Sequence, residues 1–175
     1  MIDELNTQLA TYQKKWSKLI AGRQDKAFFE SLKPVAVGWK IADPTQYERW
    51  RMELHEKSDH VIETWMNGRW VAKFVLRDIE LESGIKIVKI LQRRPHSKDE
   101  LGLDHVDFYS PRFKSAEATL HGEDDLKWSW ENNDIIEGYD WISVWFDGTE
   151  AKLKADTVLD IISAEMTQKS QSIQQ

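Results

Sequence analysis

The sequence predicts an α+β domain in which two βαβββ runs follow an N-terminal helical extension. Three observations predict it. Short runs alternate apolar and polar residues with period two, the mark of strands. Turn and capping signals separate them: Asp43-Pro44, Asn67-Gly68, Ser83-Gly84, Ser110-Pro111 and Asp147-Gly148. The order of elements in residues 34–92 then recurs in residues 103–166, and internal repetition is a guide to architecture. The repeat lies in element order, not in residue identity.

Taken in order, Ile2, Leu5, Leu9, Tyr12, Trp16 and Ile20 form one apolar stripe at spacings of three and four, which predicts a helix over 2–22 ending at Gly22. A short second helix covers 26–32, and together they make the extension, 1–33. A strand follows over 34–41. Asp43 as N-cap and Pro44 at the first helical position open a helix to about Lys57. Strands over 61–66 and 69–77 flank Asn67-Gly68, the strongest short hairpin signal. A strand over 85–92 closes the first unit. Residues 93–102 are charged, with nothing to bury, and read as a surface connector. The second unit has a strand over 103–109, a helix from Ser110-Pro111 to about Leu120, and strands over 126–131, 141–147 and 150–155. A last helix over 158–166 precedes a polar tail, 167–175.

Composition narrows the function classes. The 175 residues contain no Cys, which excludes disulfides, thiolate nucleophiles and Cys-ligated zinc. The net charge of −6 argues against non-specific nucleic-acid binding. No apolar run approaches the ~20 residues needed to cross a bilayer. No export signal is visible at Met1-Ile2-Asp3-Glu4-Leu5, so a cytoplasmic protein is expected. Nine Trp are unusual, and Trp suits cores, pockets and interfaces alike.

Strand alternation divides the second unit into two faces. Val106, Phe108, Ile142, Val144, Phe146, Ala151 and Leu153 share an aliphatic side that suits helix packing. His105, Asp107, Tyr109, Trp141, Ser143, Trp145, Glu150, Lys152 and Lys154 share the other. Such a face is either open to solvent, as in many antiparallel sheets, or lines a cleft. Large aromatics beside a few convergent polar groups are what small-molecule pockets contain. In the first unit Trp70, Ala72 and Phe74 oppose Val71, Lys73 and Val75, so that half is expected to be covered on both sides.

The segments Tyr47-Glu48-Arg49-Trp50-Arg51, Met66-Asn67-Gly68-Arg69, Leu103-Asp104-His105-Val106, Asp147-Gly148 and Ile161-Ile162-Ser163-Ala164-Glu165, in this order along a two-unit βαβββ plan, resemble the vicinal-oxygen-chelate superfamily of glyoxalases and extradiol dioxygenases. Within it they resemble the YecM-like branch. The resemblance implies a cupped sheet and a divalent metal held by the first and last strands of each unit. Carried over by position, it implies His105 as one ligand. The other positions fall at Ala36 or its neighbours Val35, Val37 and Gly38, at Lys89, and at Lys154. A protonated lysine repels a cation, and a catalytic metal typically takes three protein ligands, so the metal site reads as degenerate. Asp107 or Glu63 would have to assist.

The remaining constellations are weaker. His55 and His60 have the wrong spacing for one helical face and read as loop residues. His96 and His121 read as solvated, and Glu123-Asp124-Asp125 as a solvated turn lacking the ligand pattern of a calcium loop. Ser143 with His105 and Asp107 makes a triad only by chance placement.

The expectation is therefore a protein that binds a small molecule, of anionic character if Lys89, Lys152 or Lys154 faces it. The ligand would lie against Trp141 and Trp145, hydrogen-bonded by His105, Asp107, Tyr109 and Ser143. In the bland version the lysines pair with Glu63, Asp107 or Glu150. Two alternatives stay open: a divalent-metal-dependent lyase, isomerase or dioxygenase using His105, and a non-enzymatic interaction module. A homodimer is compatible with any of them.

Overall fold

The computed structural model describes residues 1–66, 68–94, 96–97, 101–132, 139–157, 159–160, 162–163 and 166–167. Asn67 of the first hairpin, much of the charged connector and the tail beyond residue 167 lie outside the described residues. So do several positions of the expected last helix, of which residues 159–160, 162–163 and 166–167 are helical.

Two helices, α1 (Ile2–Ala21) and α2 (Lys26–Ser31), lead into β1 (Lys33–Ile41), α3 (Pro44–Glu56), β2 (Ser58–Met66), β3 (Arg69–Leu76) and β4 (Ile87–Gln92). The second unit comprises β5 (Gly102–Tyr109), α4 (Phe113–His121), β6 (Lys127–Glu131), β7 (Trp141–Phe146) and β8 (Thr149–Lys154). All eight strands join one sheet in the order β2-β3-β4-β1-β5-β8-β7-β6. Each unit thus repeats one local order, and the two meet along their first strands. The contacts β1·β4 and β5·β8 are parallel, whereas β1·β5 and the hairpins are antiparallel. Local signals account for the element ends. Asp43 accepts from the Thr45 amide at the start of α3. Asp147 and Gly148 both adopt positive φ, 44° and 72°, in the two-residue turn joining β7 to β8.

Several boundaries differ from expectation: α4 begins at Phe113 after an N-cap Arg112 that makes no side-chain cap bond, not at Ser110-Pro111, and two strands start elsewhere. β2 begins at Ser58, three residues early. β4 begins at Ile87, because a single 3₁₀ turn, Glu82–Gly84, takes up the chain before it.

The helices cover one face of the sheet. The stripe of α1 is buried there, with Trp16 stacked on Phe108 at 4.7 Å and Tyr12 edge-on to Phe146 at 5.5 Å. The extension is therefore part of the main core and not an appendage. Arg23 clamps it to the second unit, pairing with Asp125 through two bonds of 2.6 and 2.8 Å. Glu123, read from sequence as solvated, is instead only 4% exposed and accepts from the Gln24 and Asp25 amides. Its carboxylate caps backbone donors that a local reading could not see. In the first unit the opposite face is also covered, since Ile162 packs on Ala36, Ile62 and Ile87. Over the sheet's centre and second unit, no helix among the described residues covers this cupped face.

Candidate functional site

The concave face is centred on β1 and β5. Gly38 pairs with His105, and the next pair is Trp39 with Leu103, so Asp104 is the extra residue of a β-bulge. Simple alternation would point Asp104 away from His105. A bulge breaks alternation and re-aims a side chain, and here the Asp104 Oδ2 lies 2.9 Å from His105 Nδ1. Asp104 Oδ1 in turn pairs with Lys40 at 2.6 Å. A Cβ on Gly38 would stand 2.4 Å from His105 Cε1, so the imidazole lies directly on the β1 backbone. The carboxylate at Nδ1 makes that nitrogen the donor. Nε2 is then a buried acceptor with no hydrogen-bond partner among the described residues. Burial, reinforced by the Lys152 charge, lowers the His105 pKa, which keeps the ring neutral at neutral pH.

Asp107, fully buried one pleat further on, anchors two ammonium groups. Lys154 approaches Oδ1 at 3.1 Å, and Lys89 contacts Oδ2. Burial alone would raise the Asp107 pKa, but Lys154 and Lys89 outweigh it and hold the carboxyl well below its usual range. Lys89 is strongly perturbed. Burial lowers its pKa to about 7; Asp107 opposes this, and Lys154 and Lys152 reinforce it. Lys152 lies 3.9 Å from Glu150 Oε1. Glu150 accepts at 2.6 Å from the Ser143 hydroxyl, which itself accepts from the Trp141 indole N–H at 3.2 Å. Lys152 and Lys154 both lie over the Trp141 ring, at 5.1 and 5.2 Å.

These groups enclose a cavity of about 70 Å³ lined by Met66, Arg69, Val71, Lys73, Lys89, Leu91, His105, Trp141, Lys152 and Lys154. Five of these ten are lysine or arginine and none is acidic. At the ~10–15 Å³ a single water needs, it has room for a few waters or one compact group of similar volume. A larger opening of about 320 Å³ lies on the other face beneath α1, lined mainly by apolar residues such as Leu9, Trp16 and Phe108. It has none of this charge.

The structure brings His105, Asp107, Trp141, Ser143, Lys89 and Lys154 into one network. Trp145 faces the same way but sits nearer the open side, with Lys127 over its ring at 5.2 Å. Tyr109 is half-buried at the far end of β5, beside Lys154 in register. Glu63 does not reach the cup. It lies on the helix side and accepts from Arg51 at 2.8 Å, so the lysines pair with Asp107 and Glu150. The Ser143 hydroxyl serves Glu150, so no Ser–His pair forms. Arg69, Lys73 and Asp104 were missed by sequence reasoning. Arg69 and Lys73 come from the other unit, and Asp104 from a bulge that leaves no local signal.

Register also corrects one position of the implied metal site. Gly38 pairs with Lys89, and His105 pairs with Glu150, whereas Lys154 pairs with Tyr109. The equivalent positions of the two units are therefore Gly38, Lys89, His105 and Glu150. Glycine offers no ligand and Lys89 an ammonium, so these four do not fit a shared metal. A different trio, Asp104, His105 and Glu150, has ligand atoms within 4.8 Å of one another. Its carboxylates already bind Lys40 and Ser143.

Burial of Lys89 has a measurable consequence. Between pH 7 and the ~10.4 of an unfolded lysine, the unfolded chain keeps a proton that the folded chain releases. Unfolding free energy should therefore rise with pH across this window, by on the order of 1 kcal/mol per unit. Urea midpoints at pH 7, 8 and 9 should climb in the native protein and climb less in Lys89→Met. Equal slopes in the two would exclude the assignment.

The fold and cup define an architecture: two βαβββ units paired along their first strands into one cupped sheet, with a cavity lined by basic residues. No protein-family model and no curated protein matches the chain. Among solved structures, one described as Structural Genomics, Protein EC4020 is 17% identical, with a TM-score of 0.66 over 94% of each chain. That span exceeds residues 34–166, so the shared fold takes in part of the N-terminal extension. Methylmalonyl-CoA epimerase from Mycobacterium tuberculosis matches at 12% identity and TM-score 0.47, over 71% of this chain and 86% of that one. An extradiol ring-cleaving dioxygenase from B. fuscum matches at 12% and 0.45, over 72% and 33%. These likenesses concern the fold alone. No helix among the described residues is long and apolar enough to cross a membrane.

Proposed function

We propose that this is a cytoplasmic, YecM-like member of the vicinal-oxygen-chelate class that binds a small anionic molecule in its cup. The observation that carries the reading is the charge of the cavity. A protein of net charge −6 collects Arg69, Lys73, Lys89, Lys152 and Lys154 around one small space, with no carboxylate among the described residues of its wall. Burying ammonium groups is unfavourable without anionic partners, and Lys89, Lys152 and Lys154 crowd onto Asp107 and Glu150. An oxyanion in the cavity would add a further partner for these three ammonium groups. Its organic part would extend along Trp141 toward Trp145 and donate a hydrogen bond to His105 Nε2.

Trp141 makes the binding observable. Titrating phosphate, sulfate and small carboxylates should change tryptophan fluorescence saturably. Lys152→Glu and Lys154→Glu should each weaken binding by roughly tenfold or more, as expected for lost charge-assisted bonds of ~1.5–3 kcal/mol. Binding that is indifferent to both substitutions would reject the cup as the site.

A second reading rests on the Asp104–His105–Glu150 trio: a divalent cation there, serving a lyase, isomerase or dioxygenase. Metal analysis of untagged protein discriminates. One equivalent of metal, lost in both His105→Ala and Glu150→Gln, would favour it over the anion reading.

A further inference from the structure

We propose that the ligand of the cup is an anionic monosaccharide, whose hydroxylated ring lies in a second opening beside His105. The inference rests on the anion reading above and names its ligand class. The second opening, of about 400 Å³, is lined by Asp104, Trp145, Thr149 and Glu150 among others. Register sets it next to the basic cavity. Glu150 pairs with His105 and with Trp145, whereas Lys154 pairs with Trp141. Along this face of β8 the wall therefore passes from Glu150 to Lys152 and Lys154, about 7 and 13 Å further on at the rise of a strand.

The two ends suit different parts of one molecule. Lys89, Lys152 and Lys154 crowd onto Asp107 and Glu150, so that end takes the anionic group. At the other end Asp104 and Glu150 are matched by Lys40, which pairs with Asp104 at 2.6 Å, and by Lys127, which lies over the Trp145 ring at 5.2 Å. A second ionic group would gain little there, whereas hydroxyls would find acceptors. Asp104 meets His105 and Lys40, and Glu150 accepts from Ser143. A carboxylate offers about four lone-pair sites, and these two side chains keep 14% and 18% of their surface exposed, so both can accept more. Trp145 adds a flat apolar wall. A sugar ring has an apolar C–H face for the indole and hydroxyls for the carboxylates. An apolar tail would desolvate those carboxylates without pairing them. At the junction, His105 Nε2 is a buried acceptor with no hydrogen-bond partner among the described residues, and a ring hydroxyl next to the anionic group would supply it.

Titration calorimetry on the intact protein tests this. Glucose 6-phosphate, ribose 5-phosphate and glucuronate are the anionic sugars. Inorganic phosphate, phenyl phosphate, phosphoethanolamine and glucose are the comparisons. At least one anionic sugar should bind tenfold or more tightly than any comparison compound. In Trp145→Ala the ratio of that sugar's affinity to that of inorganic phosphate should fall close to one. Trp145→Phe keeps a flat ring and should preserve most of the ratio, which separates the loss of the wall from a folding defect. Phosphate, phenyl phosphate or phosphoethanolamine binding as tightly as the sugars would overturn the sugar assignment while leaving the anion site standing. So would a ratio unchanged in Trp145→Ala. Glucose binding as tightly as its phosphate, or no binding by any of the anions, would overturn both readings.

Discussion

Asp107→Ala should be the most damaging single substitution in this protein, with a loss of about 3–5 kcal/mol, the range for breaking a buried ion pair. The Asp107 carboxylate is fully buried and holds Lys89 and Lys154, which are themselves 7% and 10% exposed. Removing it leaves two ammonium groups facing each other inside the sheet, with Lys152 and His105 close by. Asp107→Asn should cost much of the same amount, because the loss is one of charge and not of shape. Urea unfolding at pH 7 reads the effect. Lys89→Met and Lys154→Met combined with Asp107→Leu should recover a large part of the stability, since replacing a whole buried ion network by apolar groups is often neutral. A single variant within 1 kcal/mol of native would show that the network is hydrated and weak, as exposed pairs of ~0–1 kcal/mol are. The same carboxylate governs acid sensitivity. Its folded pKa lies well below the unfolded ~3.9, so its contribution is complete above pH ~4 and is lost as pH falls through the folded value.

Gly38→Ala should be the second most damaging. Alanine normally replaces a strand glycine with a gain in stability. Here the added methyl would meet the imidazole at 2.4 Å from His105 Cε1. The ring is held by Asp104 at Nδ1 and buried on all sides, so it has little room to retreat. A loss of ~1–3 kcal/mol is expected, as for overpacking elsewhere, together with loss of ligand-induced fluorescence change. The diagnostic is the double variant Gly38→Ala/His105→Ala. It should be more stable than the sum of the single effects predicts, because the clash needs both side chains. Simple additivity would mean that Gly38 matters for its backbone and not for the imidazole.

Both predictions rest on features that the chain shows in very different degrees. Gly38 lies inside the strand expected over 34–41, where the sequence showed it only as a position that offers no metal ligand. What approaches it was not visible, because His105 is 67 residues away and meets it only through the β1·β5 register. Asp107 was placed on the correct face by alternation alone. That it would carry two lysines, one from each unit, follows only from the adjacency of β4, β1, β5 and β8.

The sequence by itself determined the order of elements, their caps and turns, the two faces of the second unit and the absence of thiol chemistry. These are local properties: periodicity, capping and turn preferences act over a few residues and need no knowledge of neighbours. Tertiary structure alone decided that the polar face is a basic cup. It aligned Glu150, not Lys154, with His105, turned Asp104 onto the imidazole through a bulge, and brought Arg69 and Lys73 across from the first unit. Electrostatic character at a site is a sum over strands distant in sequence, and that sum exists only once the sheet has closed around it.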